Sequence, residues 1–221
     1  MSDETFAAER RRMVETQLKA RGIADPLVLD AMGRVPREAF VPAEATARAY
    51  ADGALPIGHG QTISQPYIVA LMVEALELEG GERVLDVGTG SGYAAAVLAE
   101  IAGEVIGIER EPALAEAAQN RLKRLGYGNV EIVTGDGSLG WPAKAPYEAI
   151  VVAAGAPAVP EALCDQLAVG GRLVLPVGED QSWQRLERRR KRDDGSYDIE
   201  HLADVRFVPL VGGAGWPAGS C

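Results

Sequence analysis

Cysteine and histidine are scarce in this chain of 221 residues, with two of each. Cys164 and Cys221 cannot build a disulfide framework, and neither lies in a CxxC or Cys/His spacing, so a structural metal is not expected and a reducing compartment is. Long apolar runs are also missing. No stretch approaches the roughly 20 apolar residues needed to cross a bilayer, and the opening "MSDETFAAERRR" has no apolar signal core. A cytoplasmic protein without membrane contact is the expectation. Positive charge is in deficit: 22 Lys and Arg against 32 Asp and Glu leave a formal charge of −10. That balance opposes nonspecific binding to nucleic acid or anionic lipid, both of which draw affinity from clustered cations. The local exception, "RLERRRKR" (185–192), reads as the solvated face of an extended segment.

What is present is apolar content, 47% of the residues, enough for one compact unit with a sizeable core. Residues 1–78 read as a helical and irregular segment packed on that core. "FAAERRRMVETQLKARG" sets Met13, Val14 and Leu18 on one stripe and stops at Gly22, while "DPLVLDAM" offers Asp25 as N-cap with Pro26 in the first turn. "IVALMVEAL" has helical spacing and ends at Gly80 and Gly81. From residue 79 to 221 the pattern changes. Five short β-branched runs, "RVLDVG", "EVIGIE", "VEIVTG", "EAIVVAA" and "RLVLPVG", alternate with helical stretches, as in parallel βαβ units. Two further extended segments flank "DDG" (193–195) and predict an antiparallel hairpin. The expected architecture is a doubly wound, mostly parallel seven-stranded α/β sheet with an N-terminal helical extension and a C-terminal hairpin.

The first strand runs into "LDVGTGSGY" (85–93) and then a helix, so glycines let the backbone turn tightly and approach a ligand. Gly88, Gly90 and Gly92 form GxGxG, one residue short of the dinucleotide fingerprint, and Asp86 stands where a pyrophosphate would be repelled. A nicotinamide dehydrogenase is thereby disfavoured, and a cationic ligand suits Asp86 better. Glu109 ends the second strand, 23 residues after Asp86, where a carboxylate can accept both hydroxyls of a ribose. Asp136 ends the third strand in "TGDGS", placed to accept from an exocyclic amino group. Each acid by itself can be a helix N-cap. Together at the carboxyl ends of successive strands they suit an ammonium, a ribose and an adenine, the parts of S-adenosylmethionine.

Read with "LPIGHGQTISQPYIVALM", "VPREAFVP", "GDGSLGW", "GGRLVLPVG" and "VRFVPL", which occur in order along nearly the whole chain, the sequence resembles the protein-L-isoaspartate O-methyltransferase family. "GQTISQP" (60–66) is the most diagnostic stretch. The resemblance implies a class I methyltransferase fold, S-adenosyl-L-methionine as donor, and isoaspartyl residues of damaged proteins and peptides as acceptors, in a monomer. By position it implies Ser64 at the reaction centre, Gly88 and Gly90 in the cofactor loop, Glu109 at the ribose, and Asp136 with Gly137 on the adenine side. Val211 and the tail "GGAGWPAGSC" depart from the family pattern on the acceptor side. A methyltransferase of this scaffold acting on a specialised peptide or small-molecule carboxylate is the alternative, and a non-catalytic binder of adenosyl ligands or damaged protein is a reading from another class.

The chemistry implied needs little from the side chains. A carboxyl group with pKa near 4 is already ionised at neutral pH, so no general base is required, in keeping with two histidines and no Ser/His/Asp arrangement. Ser64, two residues before Pro66, reads either as a helix N-cap or as a hydroxyl that donates to the acceptor carboxylate without neutralising it. His59, between Gly58 and Gly60, reads as an exposed loop residue, and Tyr67, Trp141 and Trp216 as core aromatics.

Overall fold

The structure, a computed structural model, describes residues 3–217 and 219; Cys221 lies outside the described residues, and Cys164 is a free thiol. Among the described residues no helix is long and apolar enough to cross a membrane, and no group of His, Cys, Asp or Glu is arranged to hold a metal ion.

The N-terminal segment folds as the helical stripe predicts. Helix α1 (Asp3–Met13) continues through a π turn, Val14–Leu18, and a short 3-10 turn that ends at left-handed Gly22. Met13, Val14 and Leu18 are the buried residues of this stretch. Helix α2 (Pro26–Arg34) is capped by Asp25, whose carboxylate accepts from Leu27 N–H at 2.8 Å. Two 3-10 turns follow, Arg37–Phe40 and Ala43–Arg48. The next stretch is not irregular. Strands β1 (Leu55–Gly58) and β2 (Gln61–Ile63) pair as a hairpin whose tip passes through His59 (φ 53°) and Gly60 (φ 71°). It delivers the chain to Ser64 and helix α3 (Pro66–Glu74).

The remaining strands are β3 (Arg83–Val87), β4 (Glu104–Glu109), β5 (Val130–Thr134), β6 (Tyr147–Val152), β7 (Leu167–Val177), β8 (Gln184–Lys191) and β9 (Tyr197–Val205). They form one sheet in the order β5-β4-β3-β6-β7-β8-β9. The first five pair in parallel and the last two antiparallel. Helices α4 (Tyr93–Ala99), α5 (Pro112–Arg124) and α6 (Glu161–Gln166) supply the crossovers. Alternation along the strands splits the core between the two faces. Val84, Val105 and Val151 join the N-terminal helices, α3 and α4, whereas Leu85, Val87, Ile106 and Ile108 pack with Leu163 of α6 and Leu210. Strand order reverses beside β3, which has β4 on one side and β6 on the other, and open α/β sheets bind ligands at such a reversal.

The basic run is consumed by its own surroundings. Arg188 pairs with Glu77 and Glu200, Arg190 with Glu77, Arg189 with Glu187, and Arg192 with Asp198. The Lys191 ammonium donates to the Cys164 and Leu167 carbonyls, each at 2.9 Å. Most of the run is thus the paired face of an extended segment.

Candidate active site

At the carboxyl ends of β3 and β4 lies a cavity of about 320 Å³, lined by Ser64, Gly88, Gly90, Glu109 and Gly137 among others. Five of the seven site residues expected from sequence therefore meet at one place. Asp86 and Asp136 do not line it; their neighbours Val87 and Gly137 do.

The glycine loop turns as soon as β3 ends. Gly88 N–H donates to the Ile108 carbonyl at 2.9 Å. Gly90 is left-handed (φ 55°), a conformation that favours glycine, and a Cβ on it would lie 3.2 Å from Ile57 Cδ1, so hairpin and loop meet closely there. Glu109 is held from below. It is 6% exposed, and its two oxygens accept the backbone N–H groups of Gly90 at 2.8 Å and Glu111 at 2.9 Å. One carboxylate thus fixes the loop and keeps its remaining lone pairs toward the cavity.

Asp86 is fully buried, and neither carboxylate oxygen has a hydrogen-bond partner. Burial pushes its pKa up to about 7; the nearby Thr89 side chain works against the rise and the negative charge of Glu109 adds to it, while the Thr89 hydroxyl donates to the Asp86 backbone carbonyl at 3.1 Å. A buried carboxyl left without donors beside a ligand cavity is suited to a cationic ligand. Asp136 has partners within the protein as well as the ligand role expected of it. Its carboxylate accepts from Ser138 N–H at 3.0 Å, Ser138 Oγ at 2.6 Å and Gly213 N–H at 2.7 Å. Partial burial works to raise its pKa, but the bonds from Ser138 and Gly213 hold it below the usual carboxylate range. Its carboxylate thus caps the 3-10 turn Gly137–Leu139 through Ser138 and also ties down the tail through Gly213. That tail turns tightly, with Trp216 N–H donating to the Leu210 carbonyl at 2.7 Å and Trp216 Nε1 to the Gly155 carbonyl at 3.0 Å. Leu210 and Val211 thereby become cavity walls.

Ser64 is not a cap. The N-cap position of α3 belongs to Gln65, whose side chain makes no capping bond. A second cavity, of about 270 Å³, shares Thr62, Ser64, Ala153 and Val208 with the first. Ser64 therefore stands on the wall common to both. His59 sits on the rim, its Nδ1 3.6 Å from Glu111 Oε1, with about half of the side chain exposed. Tyr67, Trp141 and Trp216 line neither cavity.

Sequence reasoning misses Tyr93 and Arg37. Tyr93, the first residue of α4, lines the first cavity and packs edge-on against Phe40, with ring centroids 5.6 Å apart. Arg37 is completely buried beneath Ser64, to whose carbonyl it donates at 2.7 Å. Nothing local marks either residue as special: an aromatic at a helix start and an arginine between Pro36 and Glu38 are ordinary in sequence.

A mostly parallel sheet that reverses at β3, a glycine turn beneath the reversal, a buried acid at the end of β4 and an orphaned carboxylate under the turn define a class I S-adenosylmethionine-dependent methyltransferase. Within that class the family is set by sequence. The profile of the protein-L-isoaspartate (D-aspartate) O-methyltransferase family matches residues 8–215, and the chain belongs to this family. It is 64% identical over 212 residues to protein-L-isoaspartate O-methyltransferase 1 of Rhodopseudomonas palustris (strain HaA2), a match covering 96% of this chain and 86% of the relative. It is 60% identical to protein-L-isoaspartate O-methyltransferase 2 of Marinobacter nauticus, over 94% of this chain and 95% of the relative. Among solved structures, a protein-L-isoaspartate O-methyltransferase superposes with a TM-score of 0.81 at 33% identity, covering 93% of this chain and 67% of that one. A structure described as a candidate enzyme of the same kind from Plasmodium falciparum, in complex with S-adenosyl-L-homocysteine, superposes with a TM-score of 0.79 at 31% identity, covering 91% of this chain and 98% of that one.

Proposed function

We propose that the protein transfers the methyl group of S-adenosyl-L-methionine to the free carboxylate of isoaspartyl residues in damaged proteins and peptides, the opening step of their repair. The observation that carries this reading is the position of Ser64 on the wall between a cavity built of glycine turns and strand-end acids and a second cavity open to an acceptor. When bound, the donor supplies an electrophilic methyl on a sulfonium that leaves as a neutral thioether. In this reading Glu109 accepts from the ribose hydroxyls. Asp86 compensates the donor's positive charge from beneath Gly88, and Gly90 and Gly137 give the ligand close approach to backbone. Asp136 acts at one remove, by holding the tail whose Leu210 and Val211 close the cavity.

The acceptor carboxylate arrives ionised, so the residues around it have to orient it and exclude water rather than move a proton. The Ser64 hydroxyl makes no hydrogen bond within the described residues and is free to donate one to that carboxylate. Alignment of this kind is worth roughly 7–11 kcal/mol of barrier. The division of labour we propose gives residues 1–78 the acceptor side and residues 79–221 the donor side, in a monomer that works in the cytoplasm and has no nucleic-acid or membrane partner.

The test is incubation with labelled donor and matched isoaspartyl and aspartyl peptides. Label on the isoaspartyl peptide alone is the expected result. Absence of label from both, or equal label on both, overturns the reading.

A further inference from the structure

Arg37 is a buried cation with no anion paired to it among the described residues. Its side chain is completely buried. Nε donates to the Ala49 carbonyl at 2.7 Å and Nη2 to the Ser64 carbonyl at 2.7 Å. The guanidinium lies over the Tyr93 ring, with Cζ 4.7 Å from its centroid, and Nη1 is buried without a hydrogen-bond partner. Burial pushes its pKa down from the ordinary arginine value. A position that only had to be filled would be filled better by an apolar side chain, because burying an unpaired charge is costly.

The three groups it touches come from separate parts of the chain. Ala49 closes the second 3-10 turn, Ser64 ends the β1–β2 hairpin, and Tyr93 opens α4 directly after the glycine loop. Tyr93 and Ser64 both line the first cavity, whereas Arg37 lines neither cavity. One rigid planar fork therefore sets the serine relative to the cofactor helix without itself reaching a ligand. A lysine has the charge but not the fork, and reaches one carbonyl in place of two.

We propose that Arg37 is a positioning residue for methyl transfer: it holds the Ser64 backbone against Tyr93 so that the serine hydroxyl meets the acceptor in register with the donor. The inference rests on the function proposed above. Arg37→Lys and Arg37→Met, assayed well below their melting temperatures, are expected to lose at least tenfold in kcat toward the isoaspartyl peptide. S-adenosyl-L-homocysteine affinity, measured by calorimetry, is expected to stay within twofold of wild type. A residue that only fills the core lowers the melting temperature and leaves kcat alone. A folded lysine variant with kcat within twofold of wild type, or a parallel loss of homocysteine-analogue affinity, overturns the inference.

The wild-type protein provides a second measurement that needs no variant. Side-chain 15N spectra of Arg37 in the S-adenosyl-L-homocysteine complex are expected to shift when the isoaspartyl peptide is added and to stay put with the aspartyl peptide. Signals that respond to neither peptide, or equally to both, overturn the inference. A wild type that fails to methylate the isoaspartyl peptide overturns the underlying reading and this one with it. An active wild type beside an indifferent lysine variant overturns this one alone.

Discussion

Glu109 Oε2 accepts the backbone N–H of Gly90 at 2.8 Å, so the acid at the end of β4 is bonded to the loop that follows β3. The loop's shape and the carboxylate's aim are consequently one property, and a change at either residue is felt at both.

Glu109→Ala removes a ligand-facing carboxylate and leaves the Gly90 and Glu111 amides without their acceptors. Each charge-assisted bond of this kind contributes about 1.5–3 kcal/mol. S-adenosyl-L-homocysteine affinity is expected to fall by roughly tenfold to a hundredfold while circular dichroism keeps its native form, and titration calorimetry measures the loss.

Ser64→Ala separates acceptor from donor chemistry. Among the described residues the hydroxyl has no hydrogen-bond partner, and it caps no helix, so stability should barely change. Turnover is expected to drop by roughly a hundredfold, the scale seen when a single hydrogen-bond donor is removed from a reaction centre, with homocysteine-analogue affinity retained. A variant that loses analogue affinity along with turnover contradicts the assignment.

Asp86 makes the ligand-free protein sensitive to pH. Its folded-state pKa, raised to about 7 from 3.8, means that the folded state keeps a proton the unfolded state has released. Stability contributed by this group is therefore full below about pH 4 and is lost as pH rises toward 7. Asp86→Asn should flatten that part of the melting-temperature profile and stabilise the ligand-free protein at pH 8. A cationic ligand favours the ionised form, so wild-type donor affinity should rise with pH through 7 with proton release, and the asparagine variant should lose both effects. Calorimetry in buffers of different ionisation enthalpy reads the proton count.

Gly137→Ala tests the close packing under the cavity. The added Cβ would lie 2.6 Å from Cγ1 of the fully buried Val87, where the 3-10 turn Gly137–Leu139 packs on β3. Overpacking of this sort costs about 1–3 kcal/mol, and thermal unfolding should register it as a drop of several degrees.

The sheet and its site were legible in unequal measure, for identifiable reasons. Period-2 alternation in "RVLDV" and "EVIGIE" reports burial on two faces, and the reports from both strands agree with the observed core. Glu109 and the glycines are legible as cavity-lining positions because they stand at strand ends, which local sequence marks. Asp136 shows the limit. "TGDGS" carries no sign that the carboxylate also bonds to a tail 77 residues later. Arg37 depends on carbonyls 12 and 27 residues away, and no pattern of neighbours encodes a contact of that span. The β1–β2 hairpin was hidden by its own composition, since proline and glycine in "ALPIGH" signal irregular chain as readily as a tight turn.

Strand β9 is the last strand on one side of the sheet, and Asp198, Glu200 and Asp204 are exposed along it. A twin strand from another molecule docking there would bring its own carboxylates against these three and would have to pull Arg188 and Arg192 away from the acids they already serve. The charge ladder of β8 and β9 is thus a stop signal for sheet growth.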